Sequence, residues 1–413
     1  MMAAMNGNER QSLHDALGLR DAPSAISEPE GSPRRVMMAM SGGVDSSVAA
    51  LLLCEEGFDV TGATMKLFSN ADVACDAEST CCSLDDVEDA KAVCRRLGVP
   101  HYTFNFGDLF GEQVIDRFCA TYVEGATPNP CIDCNRYLKF DALQRRRREL
   151  ELDYVATGHY ARRRFDDATG RWQLLCARDE TKDQSYVLYH LTQDALSHML
   201  FPLGDLTKSE VRDVARAHGF MNAEKAESQD ICFVPDGNHV GFIARRLGLA
   251  GSGLATEAGA SSPEQGIALP AAFRPGPIVD RAGKVLGTHR GLIHYTVGQR
   301  KGIGVAAPAP LYVFAKDPEA NALVVGAAED VLVSTVTVRD INLIAVERLE
   351  SSRAVQVKTH YRQRPVEAVV RQTGDDELTI AFAEPQRAAA AGQAAVLYDG
   401  DLVVGGGTIA GCR

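Results

Sequence analysis

From Val36 onward, apolar runs of strand length alternate with amphipathic stretches of helical period. Val36 to Met40 is unbroken apolar, and Val48 to Glu56 follows as a helix beyond a Gly42-Gly43 turn. Phe58 to Phe68 reads as a second strand. Asp85 to Leu97 carries Val87, Ala90, Val93 and Leu97 at helical spacing and stops at Gly98. Pro100 to Phe106 is a third strand, Leu109 to Tyr122 and Lys139 to Leu150 are helices, and Tyr154 to Thr157 is a strand running into Gly158-His159. Thr207 to Glu210 is a capping box that opens a helix to about His218, closed by Gly219, and reads as scaffold. The alternation predicts an α/β fold with a doubly wound parallel sheet. Ligands of such sheets sit at the carboxyl ends of the strands, where Ser41 and Gly158 both fall.

Residues 249 to 276, rich in Ala, Gly, Ser and Pro, read as a loop or insertion inside a second domain. From Leu311 the pattern changes to short strands: Leu311 to Phe314, Ala322 to Val325, Val331 to Val338, Val355 to Tyr361, Val366 to Arg371, Leu378 to Phe382, Ala394 to Leu397 and Leu402 to Val404. That predicts a small all-β barrel or sandwich at the carboxyl end. The expected division is a mostly disordered extension over 1–33, a nucleotide-binding domain over 34–240, a small central domain with a flexible insertion over 241–326, and a β-barrel over 327–413.

Length and charge narrow the function. A chain of 413 residues exceeds one core and suits a multidomain enzyme. With 43 Lys and Arg against 55 Asp and Glu, the net charge of −12 excludes indiscriminate nucleic-acid binding by the whole surface. Arg145 to Arg148 and Arg162 to Arg164 stand as candidate local basic patches. Eleven cysteines, an odd number scattered along the chain, point to a reducing, cytoplasmic setting instead of a secreted disulfide framework. No apolar run reaches membrane-spanning length, so no membrane association is expected. Cys54, Cys94, Cys119 and Cys176 lie in apolar patterns and read as core thiols; Cys75, Cys81 and Cys82 read as incidental thiols of a loop.

Ser41-Gly-Gly-Val-Asp-Ser-Ser47 joins a strand to a helix and reads as a phosphate cradle. Gly42 and Gly43 let backbone approach an anion, and Ser41, Ser46 and Ser47 offer hydroxyls at a helix N-terminus. The GxxxxGK[ST] pattern of γ-phosphate transfer is absent. Further on, Cys131-Ile-Asp-Cys134 lies beside Pro128 and Pro130, and Ser228-Gln-Asp-Ile-Cys232 supplies another thiol. A lone CxxC leaves redox chemistry, a metal site and no role open.

The cradle resembles the PP-loop of ATP pyrophosphatases, of the adenine nucleotide α-hydrolase-like fold, which adenylate an oxygen and release pyrophosphate. Over about residues 34 to 410 the chain is similar to the bacterial-type tRNA-specific 2-thiouridylases, the MnmA/TrmU family. The resemblance is carried by Ser41 to Ser47, Met65, Cys82-Ser-Leu, Asn129-Pro-Cys131-Ile-Asp-Cys134-Asn135, Thr157-Gly-His-Tyr160, Lys182-Asp-Gln-Ser-Tyr186, Ser228-Gln-Asp-Ile-Cys232-Phe, His294 to Lys301 and Tyr361-Arg362. It implies an ATP-dependent enzyme that adenylates the C2 oxygen of the tRNA wobble uridine and replaces it with sulfur. Adenylation turns a poor leaving group into a phosphate ester.

By the same resemblance, Ala39, Met40, Ser41, Gly42, Gly43, Val44, Asp45, Ser46, Met65 and Gly158 hold ATP, with Asp45 near its Mg2+. Cys134 is the nucleophile and Cys232 the persulfide carrier, with a transient disulfide between them after sulfur is handed over. Asn129, Pro130 and Cys131 meet the target base, and His159, Lys182, Asp183, Gln184, Tyr361, Arg362 and Gln393 contact tRNA. A sulfur-donor protein, either a cysteine desulfurase or a relay protein, completes the partners. One position departs from the pattern: many members carry Asp where this chain has Cys131. That thiol resembles the three-cysteine branch of sulfur transferases, in which Cys131, Cys134 and Cys232 hold a 4Fe–4S cluster, so persulfide and cluster routes both stay open. So do two readings without sulfur transfer: an amidotransferase-type PP-loop ligase, and a non-catalytic nucleotide and metal-binding redox sensor.

Overall fold

The apolar run after Arg35 is a central strand because both its faces are covered: Val36, Met37 and Met38 are fully buried. In the computed structural model, which describes residues 33–68, 84–225, 231–249 and 269–413, it forms β1 (Arg35–Ala39). It is followed by α1 (Val44–Glu55), β2 (Asp59–Lys66), α2 (Leu84–Leu97) and β3 (His101–Asn105). Two composite helices come next. In α3, Gly107–Phe110, a π-wound Gly111–Asp116 and Arg117–Val123 run on continuously; in α4, Pro130–Asp133, a π-wound Cys134–Ala142 and Leu143–Glu149 do the same. Then come β4 (Tyr154–Ala156), the hairpin β5 (Ala161–Asp166) and β6 (Arg171–Cys176), β7 (Met199–Leu200), α5 (Lys208–Ala217) and α6 (His239–Arg246). The strands β3-β2-β1-β4-β7 form a single parallel sheet in that order. Strand order reverses between β1 and β4, which creates the crevice in which open α/β sheets bind ligands.

The remaining chain is β-structure. β8 (Gly276–Val279), β9 (Val285–His289), β10 (Tyr312–Asp317) and β11 (Ala322–Gly326) make a small sheet in the order β10-β11-β8-β9. β12 (Leu332–Leu343), β13 (Arg353–Lys358), β14 (Val366–Gly374), β15 (Glu377–Arg387), β16 (Ala394–Asp399) and β17 (Leu402–Cys412) follow in the order β12-β15-β14-β13-β16-β17. Because β12 also pairs with β17, this sheet closes on itself as a barrel. The doubly wound sheet, central domain and carboxyl-end barrel expected from the sequence are thus present. Residues 1–32, Cys75, Cys81, Cys82, Ser228 and 250–268 lie outside the described residues.

Three features differ from the sequence expectation. α4 begins at Pro130, not Lys139, so the CxxC pair rides on the helix. The cause is local: the Asn129 side chain accepts from the Cys131 N–H at 3.2 Å, and Pro130 fills the first helical position, where no N–H is needed. Second, β5 and β6 leave the parallel sheet and extend the barrel, Leu175 pairing with Leu402. Third, the Arg162 to Arg164 run is not a loose basic patch. Arg162 bonds Asp401 at 2.8 Å, Arg163 stacks 4.4 Å from the Trp172 ring and donates to the Leu196 and Ser197 carbonyls, and Arg164 bonds Gln173. Arg145, Arg146 and Arg147 are likewise engaged with Asp141, Glu149 and Gln144.

The barrel grips α4. Arg136 makes a two-pronged pair with Asp340, a residue of β12 held at φ +50°. The buried His190 ring lies 4.0 Å from the same carboxylate. Ahead of the helix, the Thr127 N–H donates to Ala391 at 2.8 Å, and Gln393 Nε2 donates to the Thr127 and Pro128 carbonyls at 2.9 and 3.1 Å.

Burial and the neighbouring Arg136 push His190 down to about 4. Its contribution to stability is therefore complete above the ordinary histidine pKa of about 6.5 and is lost below it, as the unfolded chain takes up a proton that the folded chain refuses. The expected slope is about 1.4 kcal/mol per pH unit between those values. Urea unfolding at pH 7, 6 and 5 will show it, and His190→Gln will flatten it.

Candidate active site

Gly42 adopts φ +74°, and a Cβ there would lie 2.4 Å from the Asp86 carbonyl oxygen of α2, so only glycine makes this turn. Gly43 caps α1 and has no side chain to satisfy its first N–H groups, which leaves an anion site. The serine hydroxyls behave differently from expectation. Ser46 and Ser47 are buried and donate back to the Gly43 carbonyl at 3.0 and 2.9 Å, bracing the turn; Ser41 stays exposed at the rim. Asn222 adds a second brace, its Nδ2 2.9 Å from both the Gly42 carbonyl and Ser47 Oγ. Ala39, Met40 and Val44 lie in or beside this turn, at the carboxyl end of β1, and Met65 is half-buried near the end of β2. Gly158, just past β4, presses on α1: a Cβ would lie 2.9 Å from the Ser46 nitrogen and 3.0 Å from the Asp45 carbonyl carbon.

Asp45 points into a polar cluster. Lys208 Nζ is 2.7 and 2.8 Å from its two oxygens, and Tyr160 OH donates to one of them at 2.8 Å. A nucleotide-bound magnesium takes most of its ligands from phosphate and water, so of this cluster the Asp45 carboxylate alone, paired here with Lys208, fits as a ligand.

Cys134 and Cys232 are both half-buried and pack against one apolar core, which the cradle residues Ala39 and Met65 also touch. Cys232 is pinned through its neighbour Phe233, whose ring contacts Phe110, Phe118 and Phe242 at 5.7, 5.2 and 5.2 Å. Cys131 is exposed in the first turn of α4. Among the described residues no three His, Cys, Asp or Glu side chains gather as metal ligands. The cluster reading of Cys131, Cys134 and Cys232 therefore finds no assembled ligand set: one thiol faces solvent while the other two face the core.

The expected tRNA contacts divide into two sets. Tyr361 and Arg362 are exposed, and Tyr361 meets Tyr186 edge-on at 6.0 Å, which brings the Lys182 segment beside them. Lys182 is half-buried at that surface, and Asn129 caps the thiol helix. The others turn inward. Asp183 is buried and accepts from the Ala177 and Ser185 N–H groups and from Ser185 Oγ; Gln184 Oε1 accepts from the Tyr160 N–H. Gln393 holds the loop before Asn129, and His159, 8% exposed, bonds Thr157 and Lys139. Reasoning from sequence missed Lys208, Asn222 and Lys139. Lys208 was hidden by the capping box, since its neighbours Thr207 and Glu210 explain the helix start without it.

A switch-point cradle at the ends of β1 and β4, a thiol-bearing helix and two β-modules together define an ATP-using PP-loop enzyme. The family described as tRNA methyl transferase HUP domain matches residues 34–236, its PRC-barrel domain matches 267–327, and an aminomethyltransferase beta-barrel domain matches 333–409. Proteins called tRNA-specific 2-thiouridylase MnmA are similar throughout. That of Moorella thermoacetica is 48% identical over 373 residues, covering 90% of this chain and 98% of the relative. That of Symbiobacterium thermophilum is 46% identical over 380 residues, covering 91% and 92%; that of Clostridioides difficile is 43% identical over 376, covering 91% and 98%. The chain belongs to the MnmA family of tRNA-specific 2-thiouridylases.

A methyl group at Gly158 would push on the first turn of α1. Gly158→Ala is expected to weaken ATP binding about tenfold, or about 1.4 kcal/mol, as read by isothermal titration calorimetry.

Proposed function

We propose that this enzyme adenylates the C2 oxygen of the tRNA wobble uridine with ATP and then replaces that oxygen with sulfur carried by Cys232, with Cys134 completing the transfer. The observation that carries the proposal is the shared core: Ala39 and Met65 of the cradle and the two cysteines all pack against it. The cradle N–H groups bind the anionic phosphates, and Asp45 is the residue that would hold a Mg2+ ion, which would supply further positive charge to them. The base must leave its anticodon stack to reach this crevice, and the face carrying exposed Tyr361 and Arg362 beside half-buried Lys182 offers a surface for the rest of the tRNA.

A sulfur-donor protein leaves a persulfide on Cys232. Its terminal sulfur attacks C2, the C2–O bond breaks, and the electron pair leaves on AMP. Cys134 thiolate then attacks the Cys232 sulfur, which forms a Cys134–Cys232 disulfide and releases the uridine sulfur as 2-thiouridine. A thiol reductant restores both cysteines. Cys131, exposed at the helix start beside Asn129 and Pro130, lies toward the incoming base and takes no part in the electron count.

Cys134→Ser and Cys232→Ser are each expected to lower 2-thiouridine in tRNA at least 100-fold, while ATP affinity stays within threefold. Nucleoside mass spectrometry of tRNA from complemented strains provides the readout. Unchanged thiolation in either variant overturns the proposal.

A further inference from the structure

We infer that Lys139 is a catalytic residue of the sulfur-transfer step, its ammonium neutralising the charge that gathers on the departing AMP phosphate, with His159 as the positioning residue that aims it. The inference rests on the sulfurtransferase reading above. Lys139 and Cys134 share the π-wound stretch Cys134–Ala142, five residues apart. A π-helix closes from residue i to i+5, so the two side chains rise one turn apart on one face. The winding is what aligns them, because an α-helix would rotate Lys139 about 140° away from Cys134.

The ammonium is held by a neutral group. Lys139 Nζ is 3.3 Å from His159 Nε2, and His159 Nδ1 is 2.8 Å from Thr157 Oγ1. Burial, and then the charge of Lys139 itself, keep the His159 pKa well below that of an ordinary histidine. A neutral ring that donates from Nδ1 to Thr157 presents its Nε2 lone pair to the ammonium. The lysine is thereby aimed without being neutralised, and among the described residues no carboxylate pairs with it.

The direction of aim follows from the backbone. His159 comes directly after Gly158, where even a Cβ would crowd the Ser46 nitrogen in the first turn of α1 at 2.9 Å. Contacts therefore run from the thiol helix through Lys139, His159 and Gly158 to the phosphate cradle. Lys208 pairs with Asp45 at the cradle, and Arg136 and Arg117 on the thiol side are paired with Asp340 and Asp133, so Lys139 is the thiol-side lysine whose contact is a neutral ring. An anion lying between Cys134 and the α1 N-terminus meets it, and the phosphate ester on C2 of the adenylated base is that anion. In this step a sulfur–C2 bond forms, the C2–O bond breaks, and the pair stays on the AMP oxygen; Lys139 keeps its proton throughout.

The test uses the full-length enzyme with tRNA transcript, ATP and a cysteine desulfurase with cysteine as sulfur source. Lys139→Met is expected to lower kcat for thiolation about 100-fold. KM for ATP and tRNA should stay within threefold, and adenylated tRNA should accumulate. Lys139→Arg should recover at least tenfold of the loss, and His159→Gln should add little in the Lys139→Met background. Three outcomes overturn the inference: thiolation within threefold of the parent; loss of adenylated tRNA together with thiolation; or a pH–rate profile moved upward by a unit with its maximum intact, which would assign Lys139 to ionising Cys134. Failure of the underlying function looks different, because the parent enzyme itself would then form neither adenylated nor thiolated tRNA.

Discussion

The approach of Gly158 to the first turn of α1 is the contact on which the site depends. With no Cβ between them, the end of β4 and the phosphate cradle meet at van der Waals distance, and the two residues after Gly158 reach the crevice at fixed positions. His159 goes toward the thiol helix and Tyr160 toward Asp45. A single small residue at the switch point of the sheet thus ties the glycine-serine turn to the thiol-bearing helix. Around it, Gly42, Ser46, Ser47 and Asn222 spend their hydrogen bonds on holding the turn, so that the N–H groups of α1 are what face an anion.

The thiol helix is fixed from both sides. Within the first domain, Ile132, Leu138 and Phe140 enter the same core as Phe233, and Cys134 and Cys232 each pack against that core. From outside, the barrel supplies Asp340 to Arg136 and Gln393 to the loop ahead of Asn129. Gln393 therefore holds the loop ahead of the thiol helix through backbone carbonyls, whereas Tyr361 and Arg362 remain at the surface. The barrel serves as a frame for the thiol-bearing helix.

Periodicity revealed the parallel sheet because its central strands are covered on both faces and read as unbroken apolar runs. The carboxyl-end barrel was legible for the complementary reason, alternation between turn residues. The start of α4 was not, because Pro128-Asn129-Pro130 carries loop signals, and helix entry there rests on one side-chain cap and on proline at a position that tolerates it. Motifs located the cradle and the cysteines, yet the partners that orient them come from far along the chain: Lys208 is 163 residues from Asp45, and Asn222 is 180 from Gly42. Such pairs leave no local pattern. The arginine runs misled for a related reason, since charge density alone does not reveal that Arg163 is stacked on Trp172 and spent on carbonyls.

The excursion of β5 and β6 out of the parallel sheet has a mechanical meaning. Since Leu175 pairs with Leu402 and the Cys176 N–H bonds the Asp401 carbonyl at 2.7 Å, the nucleotide-binding half lends two strands to the neighbouring β-structure. Hinge opening between the halves would have to tear a ladder. A chain cut before the barrel would bare the flank of β6 as a sticky edge. The two ends of the chain are accordingly coupled through backbone, and loss of one exposes an edge of the other.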